Sequence, residues 1–343
     1  MTHQTHSQAH PQTGLAAPLE LICPAGTPAS FRVAVEAGAH SVYCGFADET
    51  NARNFPGLNF SREEMAEAVR FAHRRGAKTF IAINTFPRAG EFWRWSKAVD
   101  DAVRANADAV ILADLGLLED ASRRHPNLRL HLSVQAAAAN ADAINFYAKN
   151  FGVKRVVLPR VLSVQEIAAI NRQTEVETEV FIFGGLCVMA EGRCSLSSYA
   201  TGKSPNMNGA CSPASHVEYK EEGDKLVSRL GGFAIDVVSA GEPAPYPTLC
   251  KGCFEAGDHT GHVFEDPSSL DAASLIPQLA AAGVRALKIE GRQRSRAYTE
   301  AVVRSFRTAV DAHAAGQPIP ASDLRKLTEG QQTTSGAYRK TWR

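Results

Sequence analysis

Five of the chain's seven cysteines fall between positions 187 and 253: Cys187, Cys194, Cys211, Cys250 and Cys253. The first two stand in the run FGGLCVMAEGRCSLSSY, directly behind an apolar strand pattern. Thiols gathered this way can be inert core residues, redox partners or metal ligands. Gly192, Arg193, Ser195 and Ser197 around Cys194 do not suit a core strand. The first residues carry neither a basic n-region nor an apolar h-region, so they read as no signal peptide and disulfides are disfavoured. A structural zinc site usually shows two tight C-x₂₋₄-C knuckles; only Cys250 and Cys253, in LCKGC, make one. Gaps of six, sixteen and thirty-eight residues separate Cys187, Cys194, Cys211 and Cys250, and the compact ferredoxin spacings are missing too. Spacing alone leaves zinc and an iron–sulfur cluster open. Peptidase chemistry finds little support. The chain has no H-E-x-x-H and no G-x-S-x-G, and His259 and His262 read as surface histidines.

The elements that must position these thiols alternate between apolar runs and amphipathic helical patterns. Strands are expected at LELIC (19–23), SVYCG (41–45), TFIAINT (79–85), AVILADLG (109–116), LRLHLSVQA (128–136), RVVLPRVLS (155–163), EVFIFGGLC (179–187) and RALKIEGR (285–292). Ser61 and Glu64 form a capping box for one intervening helix. Trp95, Val99 and Val103 mark a second helix face, and Tyr298, Val302, Phe306 and Val310 a third. Eight strands with helices between them predict an α/β fold, a TIM-like parallel (β/α)₈ barrel. No G-x-G-x-x-G follows the first strand, which removes the usual reason for an open dinucleotide-binding sheet. About a hundred residues separate the seventh and eighth strands, and this insertion holds the cysteines. It is expected to contain a hairpin, HVEYK and KLVSRL around EEGD, before a helix over 266–283. Residues 1–17 read as a disordered His/Gln-rich tail, in which His3, His6 and His10 bind nothing tightly. Residues 18–316 read as the barrel, with a cysteine-rich insertion at 187–265, and 317–343 as an extension packed on it.

The stretch EVFIFGGLCVMAEGRCSLSSY closely resembles the signature of the collagenase-like peptidase U family. CPAG (23–26), NARNF (51–55), AINTF (82–86), LADLG (112–116), SVQA (133–136), LPRVLS (158–163), YPTLCKG (246–252) and KIEGRQRS (288–295) extend the match. With the C-terminal EGQQTTSGAYRKTW, they resemble the branch that hydroxylates ubiquinone precursors without dioxygen. The resemblance implies a [4Fe–4S] cluster held by Cys187, Cys194, Cys211 and Cys250. It also implies a heterodimer with a UbiV-like paralogue and, by analogy with relatives that hydroxylate RNA bases, prephenate as oxygen donor. Two departures stand out: Gly185 where the family often has Ser or Ala, and Cys253 as an extra thiol beside Cys250.

A dianionic donor such as prephenate calls for cationic, bidentate partners. Arg53, Arg160, Lys288, Arg292 and Arg294 fall at or near strand ends, where barrels place their active sites. Arg53, Arg160, Lys288, Glu290 and Arg292 are therefore the candidate catalytic residues. Glu290 suits acid–base work or a structural pairing with Arg292. Asn84, Asp114, Gln135 and Asn140 offer directional hydrogen bonds or helix caps. His131 reads as an interior histidine.

Bulk composition narrows the partners. There are 37 basic and 36 acidic residues among 343, a net charge of +1, so nothing favours nonspecific nucleic-acid binding or a polybasic anchor. No apolar run reaches eighteen residues, and a cytoplasmic location is expected. The greasy substrate implied by the resemblance would then be delivered by a lipid-carrying partner. RNA-base hydroxylation and a noncatalytic scaffold are the alternative readings.

Overall fold

The computed structural model describes residues 18–208, 211–239, 241–242, 244–321 and 323–339. The expected tail at 1–17 lies outside the described residues. The strands in chain order are β1 (Glu20–Pro24), β2 (Ser41–Cys44), β3 (Lys78–Ile83), β4 (Ala109–Leu112), β5 (Leu130–Leu132), β6 (Arg155–Val157) and β7 (Glu177–Gly185). The insertion adds β8 (Val217–Glu222), β9 (Lys225–Leu230), β10 (Phe233–Ser239), β11 (Cys253–Ala256), β12 (His259–His262) and β13 (Ser269–Asp271). Then come β14 (Ala286–Ile289) and β15 (Thr333–Thr334). Strands β1 to β7 pair in sequence and in parallel, and β14 joins both β1 and β7. The eight strands close a parallel (β/α)₈ barrel, as the alternating pattern predicts.

Local sequence explains the helices that space these strands. Thr27, Ser61 and Ser163 each stand at an N-cap and close a reciprocal capping box, with Ser30, Glu64 and Glu166. Trp95 and Val99 are fully buried on the helix Phe92–Arg104, whereas Val103, one turn on, is partly exposed. Tyr298, Val302, Phe306 and Val310 all pack inward from the last long helix, Arg296–Ala314.

Inside the barrel the filling is split. Ile22, Tyr43, Phe80, Ala82, Ala109, Ile111 and Ala286 form one apolar cluster. Beside it lie His131, Arg155, Glu179 and Lys288, all buried. Barrels are ordinarily filled by branched apolar side chains, so four ionisable groups in this position mark a departure with a purpose or a cost.

The insertion differs from expectation in two places. The hairpin exists, but β10 adds a third antiparallel strand beside β9. The segment read as one helix over 266–283 begins instead as β13, which runs antiparallel to the end of β7; only Ile276–Ala281 is α-helical. The cause is tertiary: Gly184 and Gly185 extend β7 past the barrel rim and offer an edge that Ser269 and Leu270 complete. Among the described residues, no helix is long and apolar enough to cross a membrane.

Candidate active site at the C-terminal mouth of the barrel

Arg53, Arg160, Lys288, Glu290 and Arg292 line a single cavity of about 90 Å³ at the C-terminal ends of the strands. Tyr43, Asn84, Gln135, Phe181 and Glu191 complete its walls. The strand-end reasoning therefore brings the five candidate residues together. Of their hydrogen-bond and ion-pair partners, Asn51, Asn59, Glu179 and Glu191 carry no such strand-end signal.

Arg292 is buried and donates to two side-chain carbonyls, Asn51 Oδ1 at 2.8 Å and Asn59 Oδ1 at 2.5 Å. The loop after β2 is folded tightly around it. A Cβ on Gly45 would stand 2.6 Å from the Asn51 amide and 2.7 Å from Arg292 Nη2, so only glycine fits there. Burial lowers the Arg292 guanidinium to about 10, and neither asparagine supplies a compensating charge. The pairing of Glu290 with Arg292 is replaced by a different arrangement. Glu290 Oε2 accepts the Gly185 N–H at 3.1 Å. Burial pushes its carboxyl up, but Arg53, Arg160 and that N–H outweigh burial and hold it below its ordinary value. The glycine at 185, a departure in the signature, leaves its N–H face close to this carboxylate.

Arg160 is buried, stacks on Phe181 with its guanidinium 3.5 Å from the ring centroid, and pairs with Glu191. Lys288 donates to Glu179 Oε1 at 2.6 Å and lies 3.8 Å from the Tyr43 ring centroid. Burial lowers its ammonium, which Glu179 only partly restores. Asn84 proves to be a strut: its Oδ1 accepts from the Ala52 N–H and its Nδ2 donates to Ser133. Asp114 and Asn140 cap the helices that follow them. His131 is interior and remote from the mouth residues' hydrogen bonds. Its Nε2 accepts from Arg129, and burial holds it well below its ordinary value.

Four polar atoms at this mouth are buried and have no hydrogen-bond partner among the described residues: Gln135 Oε1, Arg160 Nε, Glu191 Oε2 and Arg292 Nε. Buried polar groups are nearly always satisfied. Four such atoms around one cavity point to a polar ligand. The walls carry four cations against the two carboxylates Glu191 and Glu290, with Glu179 behind Lys288. The surplus is positive and suits an anion.

The cysteine loops cover this mouth. Gly192, with φ +82°, packs so closely on β5's following turn that a Cβ would stand 2.0 Å from the Gln135 carbonyl oxygen. Glu191 reaches down to Arg160 from the same loop. Cys187 and Cys194 flank this loop; Cys187, Cys194 and Cys250 are half-buried and Cys211 is exposed. Desolvation by the atoms packed around its sulfur raises the Cys211 thiol, against a pull from Arg53. Cys250 is pushed up to about 12 by burial and then by the charges of Cys211 and Cys194. Cys187 is likewise pushed up to about 12, by burial, Glu191 and Cys211. Cys253 answers to Asp236 instead and lies cross-strand from His262. Among the described residues, no three His, Cys, Asp or Glu side chains are grouped tightly enough to share one metal ion. Nor is Cys187 built as a nucleophile: a thiol raised that far carries almost no thiolate at neutral pH.

The family model for peptidase family U32 matches residues 26–341. This chain belongs to peptidase family U32. It is 33% identical over 332 residues to the tRNA hydroxylation protein P of Haemophilus influenzae, covering 90% of this chain and 71% of that protein. It is 32% identical to the 23S rRNA 5-hydroxycytidine C2501 synthase of Escherichia coli, covering 86% of this chain and 39% of the synthase. Among solved structures, the U32 peptidase Mk0906 aligns with a TM-score of 0.47 at 13% identity, over 84% of this chain and all of that one. The family's relatives thus include proteins named for hydroxylation.

The carboxylates give a pH prediction. Glu290, Glu20 and Glu177 are all held below their ordinary 4.5 in the folded chain, against the upward push of burial. Such groups add stability above the unfolded value and lose it as pH falls through the folded one. Urea unfolding from pH 7 to pH 3 is expected to show stability falling below about pH 4.5. Glu290→Gln should fall less steeply; identical slopes would mean that Glu290 does not sense the three mouth groups.

Proposed function

We propose that this chain is the cluster-binding subunit of a dioxygen-independent hydroxylase, UbiU-like in type, acting on the aromatic ring of ubiquinone precursors. Prephenate is its oxygen donor and a UbiV-like paralogue its partner. The observation that carries the reading is one juxtaposition. The loop between Cys187 and Cys194 brings Glu191 and Gly192 onto a mouth with surplus positive charge and four unsatisfied buried polar atoms.

The donor set fits the group. Four thiols free of disulfides suit such a group, which cysteine thiolates hold. Cys187, Cys194, Cys211 and Cys250 would hold it. When bound, it would supply one-electron chemistry beside the cavity. The chain's own groups do the rest. Arg292 and Arg160 grip carboxylates, with Arg53 between the cavity and Cys211. Gln135 Oε1 accepts from the donor's hydroxyl. Glu290, kept ionised, accepts from or orients a proton-bearing group. The cysteine loops shut the mouth against water, which strengthens every charged contact inside.

RNA is the competing substrate, favoured by the printed names of the relatives. Two observations weigh against it: the balance of 37 basic and 36 acidic residues, where RNA binding ordinarily demands a basic face, and the stretches shared with the quinone-hydroxylating branch. The test is anaerobic purification alone and with the paralogue, with iron, sulfide and zinc counted. About four irons and four sulfides per chain are expected. Ring hydroxylation dependent on prephenate should follow, with no product from tRNA or rRNA. One zinc and no sulfide, from protein never exposed to air, would overturn the cluster; hydroxylated RNA and an untouched quinone precursor would move the substrate.

A further inference from the structure

We infer that residues 324–338 form a strap that presets Cys187 and Cys250 before any metal group arrives. The inference rests on reading those two cysteines as cluster ligands. It assigns their placement to residues of the C-terminal segment and to Lys251, none of which touches the cavity.

The strap holds the residues beside both thiols through separate contacts. Lys251 directly follows Cys250 and is only 5% exposed. Its Nζ donates to the Ser268 carbonyl at 2.9 Å and to Glu329 Oε2 at 2.5 Å. A buried ammonium needs such a partner, so Glu329 determines where the turn Leu249–Lys251 sits. Glu329 is itself held, its N–H donating to Ser269 Oγ at 2.9 Å. Three residues on, the Ser269 N–H donates to the Gln332 carbonyl at 3.0 Å, and β15 then runs parallel to β13.

The second grip falls on the end of β7. Strand β13 is the link, with Ser269 opposite Gly185 and Leu270 opposite Gly184. A Cβ on Gly336, whose φ is +57°, would stand 3.0 Å from Leu186 Cδ1 and 3.4 Å from Leu270 Cδ1. Tyr338, buried, donates its hydroxyl to the Phe181 carbonyl. Leu186 is the residue before Cys187. Removing the strap would therefore free the carrier of Cys187 and the carrier of Cys250, which are more than sixty positions apart in the chain.

The experiment is alkylation of the metal-free full-length chain with iodoacetamide, followed cysteine by cysteine by mass spectrometry. In Glu329→Gln, Cys250 should react about tenfold faster than in the wild type, as expected for a locally opened segment, while Cys253 keeps its rate. In Tyr338→Phe the acceleration should fall on Cys187. Iron uptake under anaerobic reconstitution should slow in both variants. Unchanged rates at Cys250 and Cys187 would overturn the strap. So would equal acceleration at every cysteine, the mark of general destabilisation, and so would iron uptake as fast as wild type. A wild-type chain that takes up neither iron nor sulfide would defeat the cluster reading instead, and the alkylation rates would still decide the strap.

Discussion

Cys211→Ala is expected to abolish cluster loading, with iron and sulfide falling by more than about tenfold and ring hydroxylation lost with them. Altering the outer supports of a metal site already costs about 10- to 100-fold, and loss of a ligand should cost no less. Cys211 is the informative choice because, of the four implied ligands, it alone lies outside both the Cys187–Cys194 signature and the Cys250–Cys253 knuckle. The paired control is Cys253→Ala. Cys253 sits on β11 opposite His262 and is not among the implied ligands. Its removal should leave iron and sulfide at wild-type levels. Iron and sulfide counts on anaerobically purified variants check both outcomes. A normal cluster in Cys211→Ala, or loss in Cys253→Ala, would mean that the ligand set is misassigned.

The barrel was legible because its strands announce themselves as short apolar runs at regular intervals, and because Ser61 with Glu64 marks a helix start as clearly in sequence as in structure. Strand β13 was not legible. Three residues, Ser269–Asp271, carry no period of their own, and they are extended only because Gly184 and Gly185 present an open edge. The site divides along the same line. Arg53, Arg160, Lys288, Glu290 and Arg292 could be found because strand ends and charge are local properties. What they bind could not. Glu191 lies 31 positions from Arg160, Glu179 lies 109 from Lys288, and Asn51 and Asn59 lie 241 and 233 from Arg292. One signal was present and unused: an acid at 179 inside the apolar run ETEVFIF, at an alternate position that faces the barrel interior. A carboxylate in such a strand must find a cation.

That pair gives the second large effect. Glu179→Gln is expected to destabilise the chain by about 3–5 kcal/mol, because it leaves the Lys288 ammonium buried without its counter-charge. The fully buried Glu179 holds Lys288 at 2.6 Å, and its second oxygen lies 3.6 Å from Arg155. Arg155 keeps Glu20 and Glu177 in the variant, so the main loss falls on Lys288. In a domain of this size the change should lower the melting temperature by about 5–10 °C. The double variant Glu179→Met/Lys288→Met separates stability from function. Replacing both members of a buried pair with apolar groups of similar volume is often neutral or stabilising, so melting should return close to the wild-type value. Hydroxylation should not return, because Lys288 also walls the cavity beneath the thiols. If the double variant melts normally and turns over normally, the interior pair serves the fold alone, and anion recognition at the mouth falls to Arg53, Arg160 and Arg292. If it melts normally and is inactive while still loading iron, Lys288 belongs to the reaction, and the departure from an apolar barrel interior has its reason in the chemistry above it.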